Sequence, residues 1–219
     1  MKAMILAAGR GERMRPLTDM VPKPLLPVGG TPLIEWHIQN LAQSGFSEII
    51  INIAHLGYLI PKTLGDGSRW GVKLIYSDEQ ESGALESLGG IVKALPLLEN
   101  DPFLVVNGDI FCDYPFNPDF DLKNKLAHLI LVPNPPHNKT GDFGIKNNLL
   151  VNVERNMFTF SGIGYYHPKM FENTPEQKAP LAPLLRELAN KEALSAELYS
   201  GVWHDIGTPQ RLKEINETF

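Results

Sequence analysis

Residues 2–18, KAMILAAGRGERMRPLT, decide how this chain is read. KAMILA (2–7) is a short apolar run that ends at a glycine, and it predicts a fully buried strand. The loop that follows carries Gly9 and Gly11 together with Arg10, Arg13 and Arg15. In an open parallel sheet, ligands gather beyond the carboxyl ends of the strands. Glycines without a Cβ let backbone N–H groups approach an anion closely. Arg13 adds a guanidinium fork suited to phosphate. The loop is not a P-loop, because no Gly-Lys-Ser/Thr follows. It is not the dinucleotide fingerprint either, because Met14 stands where the third glycine belongs. For so short a glycine pattern, a solvated turn is the competing reading.

Working outward, residues 32–44 carry apolar side chains at helical spacing, with Pro32 in the first turn and Gly45 at the end. EIIINIA (48–54) and VKLIYS (72–77) read as strands, and YLIPKTLGDG as a short helix broken at Pro61. Residues 89–98 read as a helix that starts on the pair Gly89–Gly90. FLVVNGD (103–109) is a fourth strand. Strand and helix in regular alternation predict right-handed βαβ units and a mostly parallel sheet. After about residue 125 the pattern becomes short strands separated by turns: LAHLILVP, DFGIK, LLVNV and FTFSGIGYYH. These predict an antiparallel extension. A helix over 181–192, then a short strand and a last helix, close the chain. The expectation is one domain over 1–219: a nucleotide-binding half to about 125, an acceptor part over about 126–200, and a closing segment over 201–219.

The chain has 219 residues, 43% hydrophobic and 21% charged, with a net charge of −5. Such a balance excludes nucleic-acid binding driven by bulk charge. Cys112 is the only cysteine, so no internal disulfide forms, which fits a reducing cytoplasm. The amino-terminal run is too short for a signal peptide, and no apolar run approaches the ~20 residues of a membrane helix. Trp36, Trp70 and Trp203 read as packing residues and Cys112 as a small buried hydrophobe.

LAAGRGERMRPLT, followed by PKPLLPVGGTPLI (22–34), resembles the signature of the sugar-1-phosphate nucleotidyltransferases, LAAGxG[TE]R[LM]xPLT…PKP[LM][LV]P[IV]. YSDE (76–79), ALESLGGI (84–91), LVVNGD (104–109), FSGIGYY (160–166) and WHDIGTPQRL (203–212) continue the likeness in the family's order over nearly the whole chain. The resemblance implies a Rossmann-like, mostly parallel α/β sheet flanked by helices, of the GT-A-like kind, with a small antiparallel extension for the sugar. It implies a reaction in which a nucleoside triphosphate and a sugar 1-phosphate give a nucleotide-sugar and pyrophosphate.

Carried over position by position, the resemblance makes Arg13 the holder of the leaving pyrophosphate and Lys23 the bridge between the α-phosphate and the sugar phosphate. Asp109 and Asp205 would hold Mg²⁺. Leu6, Ala7, Ala8, Gly9, Gly11, Glu79, Gly89 and Asn107 would face the nucleotide, and Asp142, Gly144, Glu154 and Ser161 the sugar. By themselves, Asn-Gly-Asp reads as a turn and His204 as a structural histidine. Arg10 and Arg15 occupy variable positions and read as auxiliary or solvated. Glu81 and Glu86 are further candidates near the base. Leu88 departs from the family's small residues, and a leucine there would narrow the base pocket and favour a pyrimidine.

TGDFG, FSG and LAPLLR are similar to the bacterial members that uridylylate N-acetylmuramic acid 1-phosphate in cell-wall recycling. That implies UTP, and a sugar bearing a carboxylate that Asn134, Lys139 or Arg186 would meet. Mannose 1-phosphate with GTP, glucose 1-phosphate with dTTP or UTP, heptose 1-phosphate and a non-catalytic paralogue are the alternatives. Without the trimer-forming β-helix of some relatives, a monomer or simple homodimer is expected.

Overall fold

The computed structural model describes residues 1–81 and 83–219; Ser82, in one of the candidate base segments, lies outside them. Strand β1 (Lys2–Leu6) runs into the glycine-arginine loop, and a small hairpin, β2 (Pro27–Val28) and β3 (Thr31–Pro32), leads to helix α1 (Leu33–Gln43). There follow β4 (Glu48–Ile53), α2 (Leu59–Leu64), β5 (Lys73–Asp78), α3 (Glu86–Leu98), β6 (Phe103–Asn107) and β7 (Ile110–Cys112). Next come β8 (Ala127–Val132), β9 (Phe143–Lys146), β10 (Leu149–Val151) and the long β11 (Met157–Tyr166). Helix α4 (Ala182–Asn190), β12 (Leu194–Leu198), β13 (Trp203–Asp205) and α5 (Pro209–Asn216) complete the chain.

One nine-stranded sheet runs in the order β5-β4-β1-β6-β11-β8-β12-β10-β9. Its first four strands are parallel, as βαβ connection requires. Beyond β6 the sheet is mixed rather than mostly parallel. Strand β11 is antiparallel to β6 and β8, β12 is parallel to β8, and β10 and β9 follow antiparallel. The expected extension is therefore the second half of the same sheet. Strand β9 also pairs with β11, so β11, β8, β12, β10 and β9 close into a ring.

Strand β11 achieves this by changing partner along one side. Met157 and Phe158 lie on β9, while Ile163–Tyr166 lie on β6, and the register shifts between Phe160 and Ile163. Gly162 sits in the shift with φ +84°, and a Cβ there would lie 2.5 Å from the Asn107 side chain. Left-handed backbone in such close contact requires glycine.

Both faces of the parallel half are apolar because helices cover both. Ala3, Ile5, Ile49 and Ile51 meet α1 and α2, while Met4, Ile50, Phe103 and Val105 meet α3 and α4. Each of these side chains larger than alanine, fully buried, stabilises the fold by roughly 1.5–3 kcal/mol. A third cluster packs Met14, Leu26 and Val28 against Ile206, Leu212 and Ile215. It pins the glycine-arginine loop to α5.

Two helix readings shift. Pro61 does not break α2, because it lies in the first turn, where its missing N–H is not needed. Helix α3 begins at Glu86, so Gly89 and Gly90 lie inside it. A Cβ on Gly89 would meet the Gln177 carbonyl oxygen, and one on Gly90 would lie 2.7 Å from Asn52 and 2.8 Å from Glu79. The glycines serve close approach rather than helix initiation. The sequence patterns announce none of strands β2, β3, β7 and β12. Among the described residues, no helix is long and apolar enough to cross a membrane.

Candidate active site

A cleft of about 430 Å³ opens beyond the carboxyl ends of β1 and β6. Leu6, Ala7, Ala8, Gly9 and Gly11 line one wall, with Arg13 and Lys23 beside them and Asn107 and Asp109 across. Local geometry explains the loop's shape. Gly11 has φ +68°, and a Cβ there would press on Thr18 at 3.0 Å and on Lys23 at 3.3 Å. The Thr18 hydroxyl donates to the Gly11 carbonyl at 2.8 Å. His55 Nε2 donates to the Thr18 carbonyl at 2.9 Å, which leaves Nδ1 to accept from Arg10 at 2.9 Å. Arg10 also pairs with Glu12, and Arg15 with Asp19, at exposed positions. Such pairs contribute little to stability.

Lys23 sits in a short helical turn behind Pro22, with Pro24 next to it, and is only 8% exposed. Its ammonium donates to Asp109 Oδ2 at 2.7 Å. Among the described residues, Arg13 has no hydrogen bond or ion pair. Its guanidinium lies beside Gly207, close to that of Arg211.

The two aspartates meet through a pairing that no local pattern announces. Strands β7 and β13 form an antiparallel ladder with Asp205 opposite Ile110, and the Ile206 N–H donates to the Asp109 carbonyl at 2.8 Å. Asp205 is held by Arg211 through Oδ2 and by His137, 2.9 Å from Oδ1. His37 supports the same strand end from below: fully buried, it donates from Nε2 to the Ile110 carbonyl at 2.8 Å. Burial lowers its pKa from 6.5 to about 4, against the raising effect of that carbonyl and of Asp109. The donor set suits a hard divalent cation: two carboxylates at adjacent strand ends, beside a cleft for phosphate oxygens. Among the described residues, no group of three or more His, Cys, Asp or Glu could hold a metal ion unaided.

The other sequence candidates fall in different places. Glu79 is buried behind the cleft. It accepts from Asn52 Nδ2 and from the Leu85 N–H, each at 2.8 Å, and Asn52 Oδ1 in turn accepts the Ala7 N–H at 2.7 Å. Burial raises the Glu79 pKa, with the two donated bonds opposing. Gly89 lies inside α3 and outside the cleft lining, whereas Glu86 lines it and Glu81 is exposed. Leu88 packs into the core below the sheet, so it does not narrow the base pocket as the sequence suggested.

Asp142 lines a second cavity of about 270 Å³ that shares Leu6, Ser87 and Asn107 with the first. It opens where β11 leaves β9 and joins β6. Ser161 is buried, donating to the Ile130 carbonyl and accepting the Ile163 N–H at the register shift. Gly144 packs directly on the Glu154 side chain, and neither lines the two cavities. His204 is exposed. Cys112 is free and buried, and burial pushes its thiol up to about 11.

Asn52, His137 and Arg211 were not singled out from sequence. Asn52 had a signal, as a polar residue interrupting the apolar run EIIINIA at its carboxyl end.

The nucleotidyl transferase family profile matches residues 2–219. The chain is 52% identical to the N-acetylmuramate alpha-1-phosphate uridylyltransferase of Neisseria meningitidis serogroup B, covering 98% of this chain and 96% of that protein. It is 34% identical to the UTP--glucose-1-phosphate uridylyltransferase of Synechocystis over 66% of this chain, which spans 40% of that relative. Among solved structures, a Bacillus anthracis protein assigned as a glucose-1-phosphate thymidylyltransferase superposes with a TM-score of 0.85 at 25% identity, covering 100% of this chain and 94% of that one. Motif string, sheet topology, cleft and profile agree, and the chain belongs to the nucleotidyl transferase family.

Proposed function

We propose that this protein transfers a uridylyl group from UTP to N-acetylmuramic acid α-1-phosphate, giving UDP-N-acetylmuramic acid and pyrophosphate in the cytoplasm, in cell-wall recycling. The observation that carries the reading is the 52% identity over 98% of the chain to a uridylyltransferase of that name. The geometry supports it. A sugar phosphate oxygen attacks the α-phosphorus in line, and pyrophosphate leaves. Such a step needs positioning and charge neutralisation more than covalent help.

In this reading the backbone of residues 7–11 cradles the triphosphate. Arg13, with no partner among the described residues, takes the β- and γ-phosphates. Lys23 leaves Asp109 to hold the α-phosphate and the sugar phosphate together as charge develops. Asn52 and Glu79 fix the Ala7 N–H and so the entry of the loop. Asp109 and Asp205 would hold Mg²⁺, which when bound neutralises phosphate charge and polarises the α-phosphate. The sugar lies in the second cavity, reached past Asn107 and Ser87.

The test is pyrophosphate release with Mg²⁺, with four nucleoside triphosphates crossed against N-acetylmuramic acid, N-acetylglucosamine, glucose, mannose and heptose 1-phosphates. The expected signal is strongest for UTP with N-acetylmuramic acid 1-phosphate. A stronger signal for GTP with mannose 1-phosphate, or for dTTP with glucose 1-phosphate, overturns the substrate assignment. Silence across the panel, with UTP still bound, overturns the reaction.

A further inference from the structure

We propose that Arg186 reads a carboxylate carried by the acceptor sugar, and so sets specificity between two sugars that differ only in that group. The inference rests on the substrate reading above. The cavity that continues from the nucleotide cleft is walled by Phe143, Phe160, Tyr166, Leu181 and Leu185. Its charged lining, among the described residues, is Asp142 and Arg186. The Asp142 carboxylate is already engaged: Oδ2 accepts the Phe160 N–H at 2.9 Å and Asn138 Nδ2 at 3.2 Å.

Arg186 stands differently. One N–H donates to the Asp142 carbonyl at 3.2 Å, and the guanidinium lies 4.8 Å over the Phe143 ring. These two contacts fix the plane of the fork on an exposed side chain that would otherwise wander. Among the described residues Arg186 forms no ion pair, although the Asp142 carboxylate lines the same cavity and is occupied by the Phe160 and Asn138 donors, so the guanidinium lines the cavity with N–H groups still to spend. A fixed planar fork beside an apolar wall suits a planar anion bound by two parallel hydrogen bonds. The anomeric phosphate has its own cation in Lys23, in the neighbouring cleft. The anion read here is therefore a second one, on the sugar ring. The lactyl ether of N-acetylmuramic acid supplies such a carboxylate, and N-acetylglucosamine lacks it. Asn134 and Lys139, the other sequence candidates, line a separate open depression that shares no residue with either cavity.

The experiment measures kcat/KM with UTP for N-acetylmuramic acid 1-phosphate and N-acetylglucosamine 1-phosphate, in the wild type, Arg186→Ala and Arg186→Lys. The wild type is expected to prefer the lactyl sugar. Arg186→Ala should reduce that preference on the order of 10- to 100-fold, chiefly through KM. Arg186→Lys should fall between, because it keeps the charge and loses the fork. An unchanged ratio in Arg186→Ala, or equal losses for both sugars, overturns the inference and leaves the substrate reading standing. A wild type without preference overturns both, and that is visible before any variant is made.

Discussion

Lys23 and Asp109 are 86 positions apart in the chain and 2.7 Å apart in space. Each neutralises the other until a substrate arrives; Asp109→Asn still offers an amide oxygen to the buried Lys23 ammonium, and Lys23→Ala leaves a carboxylate that water reaches, so neither change costs the fold much. Asp109→Asn should cut turnover with Mg²⁺ by at least about 100-fold, because a developing phosphate charge loses its cation's anchor. Its melting temperature should stay within about 4 °C, since the carboxylate is 40% exposed and weakly coupled to stability. Lys23→Ala should behave alike, and a protein that unfolds would show the lysine to be structural. Both residues were legible only through the family resemblance, since by itself Asn-Gly-Asp reads as a turn and a lysine between prolines as a restricted loop. The side chains that hold Asp205 were not. His137 and Arg211 reach it from a distant loop and from α5, and nothing in WHDIGTPQRL marks which carboxylate its arginine will choose.

At the scale of elements, the glycine pair in α3 shows how one residue type hides two purposes. A glycine in a helix interior ordinarily weakens it by roughly 1 kcal/mol relative to alanine. Gly90→Ala should do the opposite of stabilising. Its Cβ would press on the buried Asn52–Glu79 bond, which cannot swing away because Ala7 and Leu85 hold both ends. The expected result is a lower melting temperature together with a KM for UTP raised several-fold, read by thermal unfolding and steady-state kinetics. From sequence the pair read as a helix start, since the clashes it avoids lie with Gln177, with Asn52 of β4 and with Glu79 just past β5. The exchange of partners along β11 was equally illegible. FTFSGIGYYH announces a strand, but pairing is long-range.

Across the whole molecule, acid should loosen the fold through His37. Its folded-state pKa is lowered to about 4 from 6.5, so an unfolded chain takes up this proton first as pH falls. Stability is then complete above about pH 6.5 and is lost progressively toward pH 4, by roughly 3 kcal/mol at the end. Urea midpoints between pH 7 and 4.5 should show that slope. His37→Gln, which keeps a donor for the Ile110 carbonyl and does not titrate, should flatten it. At this scale the parallel half was legible, because alternating strands and helices leave few ways to connect. The other half was underestimated. Short strands with turns between them look like an appendage, whereas their closure onto β11 makes them half of one sheet. That closure also governs how the protein meets itself. With β9 seated on β11, the strand left open along the sheet, among the described residues, is β5, six residues long. Two copies joined there back to back would use up the free edge of each, so association by strand addition ends at a pair and cannot grow into a fibre.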